Sequence, residues 1–94
     1  MNSQLTHKRE EILGIAGKYG IRNIRVFGST ARGNDTKDSD IDLLVDVEEV
    51  RDLFDIGAFL MDLEALLHKK IDVVTENALH QKIRKTVLEE ALPL

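Results

Sequence analysis

Cysteine and tryptophan are both absent from these 94 residues, and the only proline is Pro93. Without cysteine there is no disulfide, no thiolate zinc site and no thiol nucleophile. That absence also fits a reducing compartment. Aromatic residues make up only 4% of the chain, too few for a stacking platform along single-stranded nucleic acid. Positive charge is in deficit: 13 Lys and Arg against 17 Asp and Glu leave a net charge of −4. A broad basic surface for DNA or RNA is therefore disfavoured, and direct DNA binding is not expected. No apolar run reaches the length that spans a bilayer. The first residues, MNSQLTHKREE, lack the apolar core of a secretory signal. The expected compartment is the cytoplasm, with no membrane partner.

What is present is an ordinary folding composition, 43% apolar and 32% charged. Length favours one domain over residues 1–94. There is no repeat, low-complexity tract or linker. Leu5, Ile12, Leu13 and Ala16 fall near one face of a helix over about 5–19, weakened by Gly14 and Gly17 and capped by Gly20. Residues 23–27 (NIRVF) alternate as a strand. Gly28-Ser29 breaks it, and Ser29 to Arg32 forms a helical turn stopped by Gly33. Residues 34–39 (NDTKDS) read as a loop, and 40–47 (DIDLLVDV) as a second strand.

The clearest helix is 51–68, with Leu53, Ile56, Leu60, Leu63 and Leu67 at helical spacing. A second stripe of Phe54, Ala58, Met61 and Ala65 widens its apolar face. That girth fits either a partner or homodimer, or burial between the sheet and another helix of the chain. Residues 70–75 (KIDVVT) read as a third strand. Asn77 is the expected cap of a last helix over about 78–92, with Leu79, Ile83, Val87 and Ala91 on one side. The order α-β-(turn)-β-α-β-α predicts a small α/β layer fold.

The chemistry-bearing residues cluster between 28 and 42. Asp40 and Asp42 are two apart on a strand, so both carboxylates face the same way. Two close carboxylates repel, and a divalent cation relieves the cost. Mg²⁺ takes oxygen ligands, often one or two carboxylates plus substrate phosphates. Gly28 lets the backbone approach a ligand closely. Ser29 offers a hydroxyl, and a helical turn starting there offers free N–H groups to a phosphate. A metal-bound polyphosphate would fit between Ser29 and Asp40/Asp42. Asp72, inside the apolar run IDVV, would complete a two-metal site and help activate an attacking hydroxyl. Arg32 and Lys37 flank the phosphate position, where they would either neutralise polyphosphate charge or balance Asp35 and Asp38.

Structural readings stand beside these. Asp40 and Asp42 fit the solvent face of a half-buried strand. Asp72 fits a salt bridge to Lys69, Lys70 or Arg84, and Gly28-Ser29 an ordinary turn. Asp46 lies on the same alternation but nearer the far end of its strand, and reads as structural or solvated. His7, His68 and His80 have no ligand spacing and read as surface residues. Lys82, Arg84 and Lys85 read as a solvated helix face.

Taken together, Gly28-Ser29, a spacer of ten residues, Asp40-Ile41-Asp42 and the later Asp72 resemble the DNA polymerase β-like nucleotidyltransferase superfamily. The stretch GSTARGNDTKDSDIDLLVD is most similar to its minimal nucleotidyltransferases, and the resemblance covers nearly the whole chain. It implies a mixed β-sheet flanked by helices. It implies Mg²⁺ on Asp40 and Asp42, Asp72 as the third acidic residue, and nucleotide phosphates held by Gly28 and Ser29. It also implies an antitoxin that transfers AMP from ATP to a tyrosine of a HEPN-domain RNase toxin. Where family members often carry arginine or tyrosine, this chain has Thr30, so no nucleotide contact is carried over to that position. A non-catalytic antitoxin that neutralises its partner by binding is the alternative. Transfer to RNA or to a small-molecule hydroxyl is a further one, disfavoured by the low basicity and the short chain.

Overall fold

The computed structural model describes residues 3–36, 38–48 and 53–94. Two short helices open it, α1 (Ser3–His7) and α2 (Arg9–Lys18). Sequence periodicity predicts one continuous helix here. The structure divides it at Lys8, although Ile12 N–H still donates to the Lys8 carbonyl at 2.9 Å. Leu5, Ile12 and Ala16 are buried as expected, whereas Leu13 turns partly to solvent. Strand β1 (Ile21–Phe27) follows, two residues longer than the alternation predicts. A bulge between Arg22 and Arg25 explains the difference. It lets Ile21 and Ile24, an odd number of residues apart, both face the core.

Helix α3 (Gly28–Arg32) starts directly at the strand end. Its last turn closes on Gly33 at φ +76°, a left-handed cap that only glycine adopts cheaply. Strand β2 (Ile41–Val47), helix α4 (Leu53–Leu67) and strand β3 (Ile71–Thr75) form a parallel crossover unit. The chain then departs from expectation. Residues Glu76–Ala78 make a 3-10 turn, and helix α5 spans Gln81–Glu90. Its cap is His80, not Asn77: His80 Nδ1 accepts from the Lys82 N–H at 3.2 Å. Strand β4 (Leu92–Pro93) was not anticipated. It is two residues long and pairs with β1, a long-range contact without a local signal.

The sheet has the order β3-β2-β1-β4, mixed because β2 and β3 are parallel and the other pairs antiparallel. Alternation along β2 divides the molecule into layers. Ile41, Leu43 and Val45 join Leu5, Ile12, Phe59, Leu63 and Leu67 on the side of α1, α2 and α4. Leu44 faces the opposite side, against Leu79 and Val87 on the α5 side. Each fully buried Leu, Ile or Phe contributes about 1.5–3 kcal/mol by leaving water. Helix α4 buries part of its apolar girth within the chain and leaves the rest exposed. Phe59, Leu63 and Leu67 are buried against the sheet side, and Tyr19 Oη donates to Asp62 Oδ2 at 2.8 Å. On the second stripe, Phe54 (85% exposed) and Met61 (72%) face solvent. No helix among the described residues is long and apolar enough to cross a membrane.

Candidate active site

Three neighbouring strands place Phe27, Asp42 and Asp72 in one row: Phe27 is opposite Asp42, and Asp42 is opposite Asp72. Alternation puts Asp42 on the same sheet face as Leu44, the α5 side. Asp40 lies just before β2, half-buried. Thus the two carboxylates expected from sequence to share a face are joined by the third through strand register alone.

Asp42 carries the electrostatic load of this arrangement. Its pKa is raised above the ordinary 3.8, first by burial, then by the charges of Asp72 and Asp40 and by a hydrogen bond with Asp72. Arg32 opposes the rise. Among the described residues Asp72 makes no ion pair. The salt-bridge alternative therefore fails: Lys69 Nζ donates to the Thr36 carbonyl at 3.1 Å, and Arg84 Nη2 to the Leu79 carbonyl at 3.4 Å. Arg84 is half-buried, so the basic cluster it shares with exposed Lys82 and Lys85 is only partly solvated.

Gly28 fits against this pair. It has φ +70°, and a Cβ there would overlap Asp42 Oδ2 and lie 3.3 Å from Asp42 Cγ. An ordinary turn does not need that close approach. The Gly28 N–H donates to Glu90 Oε1 at 2.8 Å. Glu90 also receives Arg32 Nη1, at 3.0 Å on Oε2 and 3.3 Å on Oε1. Arg32 thus pairs with Glu90 rather than with Asp35 or Asp38. Sequence reasoning missed Glu90, because nothing local links it to a turn 62 residues away. Ser29 is half-buried beside Gly28. Thr30 is 1% exposed, with no partner for its hydroxyl among the described residues, so it belongs to the interior and not to a nucleotide surface.

The loop before Asp40 is tied to itself. Thr36 N–H donates to Ser39 Oγ at 2.9 Å, and Ser39 N–H to the Thr36 carbonyl at 3.0 Å. Lys37 lies outside the described residues. At the other end of the strand, Asp46 pairs with Arg25 at 3.1 Å and accepts from Asn23 at 3.1 Å, a structural role as expected. His7, His68 and His80 are all exposed.

An all-oxygen donor set suits a hard cation such as Mg²⁺. Asp42, held above its ordinary pKa by burial and then by its acidic neighbours, fits a group whose charge a cation would offset. The fit is partial. Among the described residues no three acidic or histidine side chains are gathered tightly enough to enclose an ion. The three-carboxylate cage expected from sequence is therefore not closed: Asp42 and Asp72 form the pair, and Asp40 acts through its charge. Repulsion among three carboxylates favours rotamers that open the set.

Comparison with known proteins agrees with this geometry. The nucleotidyltransferase domain family matches residues 9–94. A protein adenylyltransferase, MntA, of Thermococcus cleftensis is 42% identical over 86 residues, covering 92% of this chain and 83% of that protein. A solved structure provisionally named a minimal nucleotidyltransferase superposes with a TM-score of 0.87 at 43% identity, covering 98% of this chain and 94% of the other. At the level of fold alone, a toxin-antitoxin structure with AMP-PNP is also similar, with a TM-score of 0.74 at 20% identity over 89% of this chain and 69% of that one. Strand register, the close glycine and these likenesses agree: the chain belongs to the nucleotidyltransferase domain family, as one of its minimal members.

Proposed function

We propose that this nucleotidyltransferase moves AMP from ATP to a tyrosine hydroxyl of a partner HEPN-type RNase toxin, and so acts as its antitoxin. The observation that carries the reading is the Asp42–Asp72 pair set against Gly28. Relatives named protein adenylyltransferases support a protein acceptor. The exposed stripe of Phe54 and Met61 on α4 supports a protein partner.

In this reading Asp40, Asp42 and Asp72 would together hold Mg²⁺, which would supply charge neutralisation for the triphosphate and a lowered pKa for an attacking hydroxyl. Gly28 lets the backbone come close to the phosphates, Ser29 holds a phosphate oxygen through its hydroxyl, and Arg32 adds positive charge beside them. Exposed Asp72 receives the proton of the acceptor hydroxyl. The acceptor oxygen bonds to the α-phosphorus as the bond to the bridging oxygen breaks, and pyrophosphate leaves.

Neutralisation by binding alone is the second reading, favoured by the same exposed α4 stripe. One experiment separates the two. The protein is incubated with α-labelled ATP, Mg²⁺ and lysate of its native host, beside Asp42→Asn. Label on one discrete protein, lost in the variant, supports transfer. An Asp42→Asn protein that still neutralises the partner fully makes binding the mechanism. Label removed by nuclease makes RNA the acceptor.

A further inference from the structure

We propose that Glu90 is a positioning residue of the nucleotide site, acting through Gly28 and Arg32. The inference rests on the functional reading above. One carboxylate on α5 takes both the Gly28 N–H and the Arg32 guanidinium. The first anchors the backbone at the glycine of the site, and the second belongs to the cation assigned to the phosphates.

An exposed Arg–Glu pair is ordinarily worth little. This one differs in three respects. The Glu90 side chain is only 21% exposed. It accepts a charge-assisted bond from a backbone amide as well as from the guanidinium. That amide belongs to a glycine at φ +70°, where the peptide orientation sets the start of α3 and so the place of Ser29.

Arg32 ends the short helix that starts at Gly28, whose backbone lies against Asp42, and Glu90 braces its guanidinium from α5. Bracing reduces the side-chain freedom that Arg32 would otherwise lose on meeting a phosphate. Glu90 thus fixes the backbone that places Ser29 and braces Arg32, without touching the nucleotide.

The test is equilibrium binding of a non-hydrolysable ATP analogue with Mg²⁺, to wild type, Glu90→Ala, Glu90→Gln, Arg32→Ala and the Glu90→Ala/Arg32→Ala double variant. Glu90→Ala is expected to weaken binding about tenfold. Glu90→Gln keeps an acceptor for the Gly28 N–H and recovers part of the loss. The double variant loses less than the product of the single losses, because the two residues share one interaction. Hydrogen exchange at the Gly28 amide speeds up in Glu90→Ala and not in Arg32→Ala, which a general loss of stability would not produce. Unchanged or tighter binding in Glu90→Ala overturns the role of Glu90 and leaves the nucleotide site standing. So do losses that simply multiply. A wild-type protein that does not bind the analogue overturns the functional reading, and this inference with it.

Discussion

Asp42 and Asp72 stand directly opposite each other on adjacent parallel strands, and Asp72 acts on the Asp42 carboxyl by its charge and a hydrogen bond. Burial and this neighbour hold Asp42 above its ordinary pKa of 3.8. A raised carboxyl binds its proton more tightly in the folded protein than in the unfolded chain. Its contribution to stability is thus fully present below pH 3.8 and is lost as pH rises through the folded value. Asp42→Asn removes the charge, so in chelator the variant should melt above wild type at neutral pH. The gain is small, because a half-exposed carboxyl is screened by solvent. Melting curves across pH check this: the gap should close toward acid, and a gap that widens there contradicts it. The same variant should lose transferase activity by more than the roughly 10–100-fold typical of removing an outer partner of a metal site.

Gly28→Ala tests the close approach. The left-handed backbone alone costs about 1–2 kcal/mol for a residue with a Cβ. The added methyl must also displace the Asp42 carboxylate. Chemical denaturation should show at least that loss, and AMP transfer should fall further than stability explains. Full activity at reduced stability would mean that Asp42 can move without consequence.

Asp46 is the control for Asp42, four residues along the same strand face. It pairs with Arg25 at the surface. Asp46→Asn should cost about 0.2–1 kcal/mol and leave transfer unchanged. A large loss of activity would show that the site extends to the far end of β2.

Met61→Lys tests the α4 stripe. Met61 is 72% exposed, so the substitution should change stability by no more than about 0.5 kcal/mol. If the partner docks there, co-purification with it is lost while nucleotide binding remains. Retained co-purification would place the docking face elsewhere.

The sequence was most legible where chemistry and backbone geometry coincide. Gly28 and Gly33 bracket α3 because the chain needs left-handed residues at both places. Apolar alternation in β2 and β3 located the strands that carry Asp42 and Asp72. It did not show that the two face each other, since register is a property of pairing. Other features had no local signature. Lys8 divides a periodic helix without a proline or glycine at that position. His80 caps α5 through a ring nitrogen, where Asn77 had the better propensity. Glu90 looks like any charged residue near a helix end until α5 packs beside α3.

Strand β3 closes one side of the sheet, with no strand beyond it among the described residues. An edge is a template for unwanted pairing, and proteins blunt edges with short strands and charges. β3 is five residues long, and Asp72 is its only charge, set among Ile71, Val73 and Val74. The residue assigned to catalysis is therefore also the one charge within the strand at this edge. A catalytic knockout made with a hydrophobic residue at 72 would create a short apolar β segment and invite aggregation, so an inactive Asp72→Val preparation could reflect insolubility rather than lost chemistry. Asp72→Asn preserves the polarity and separates the two.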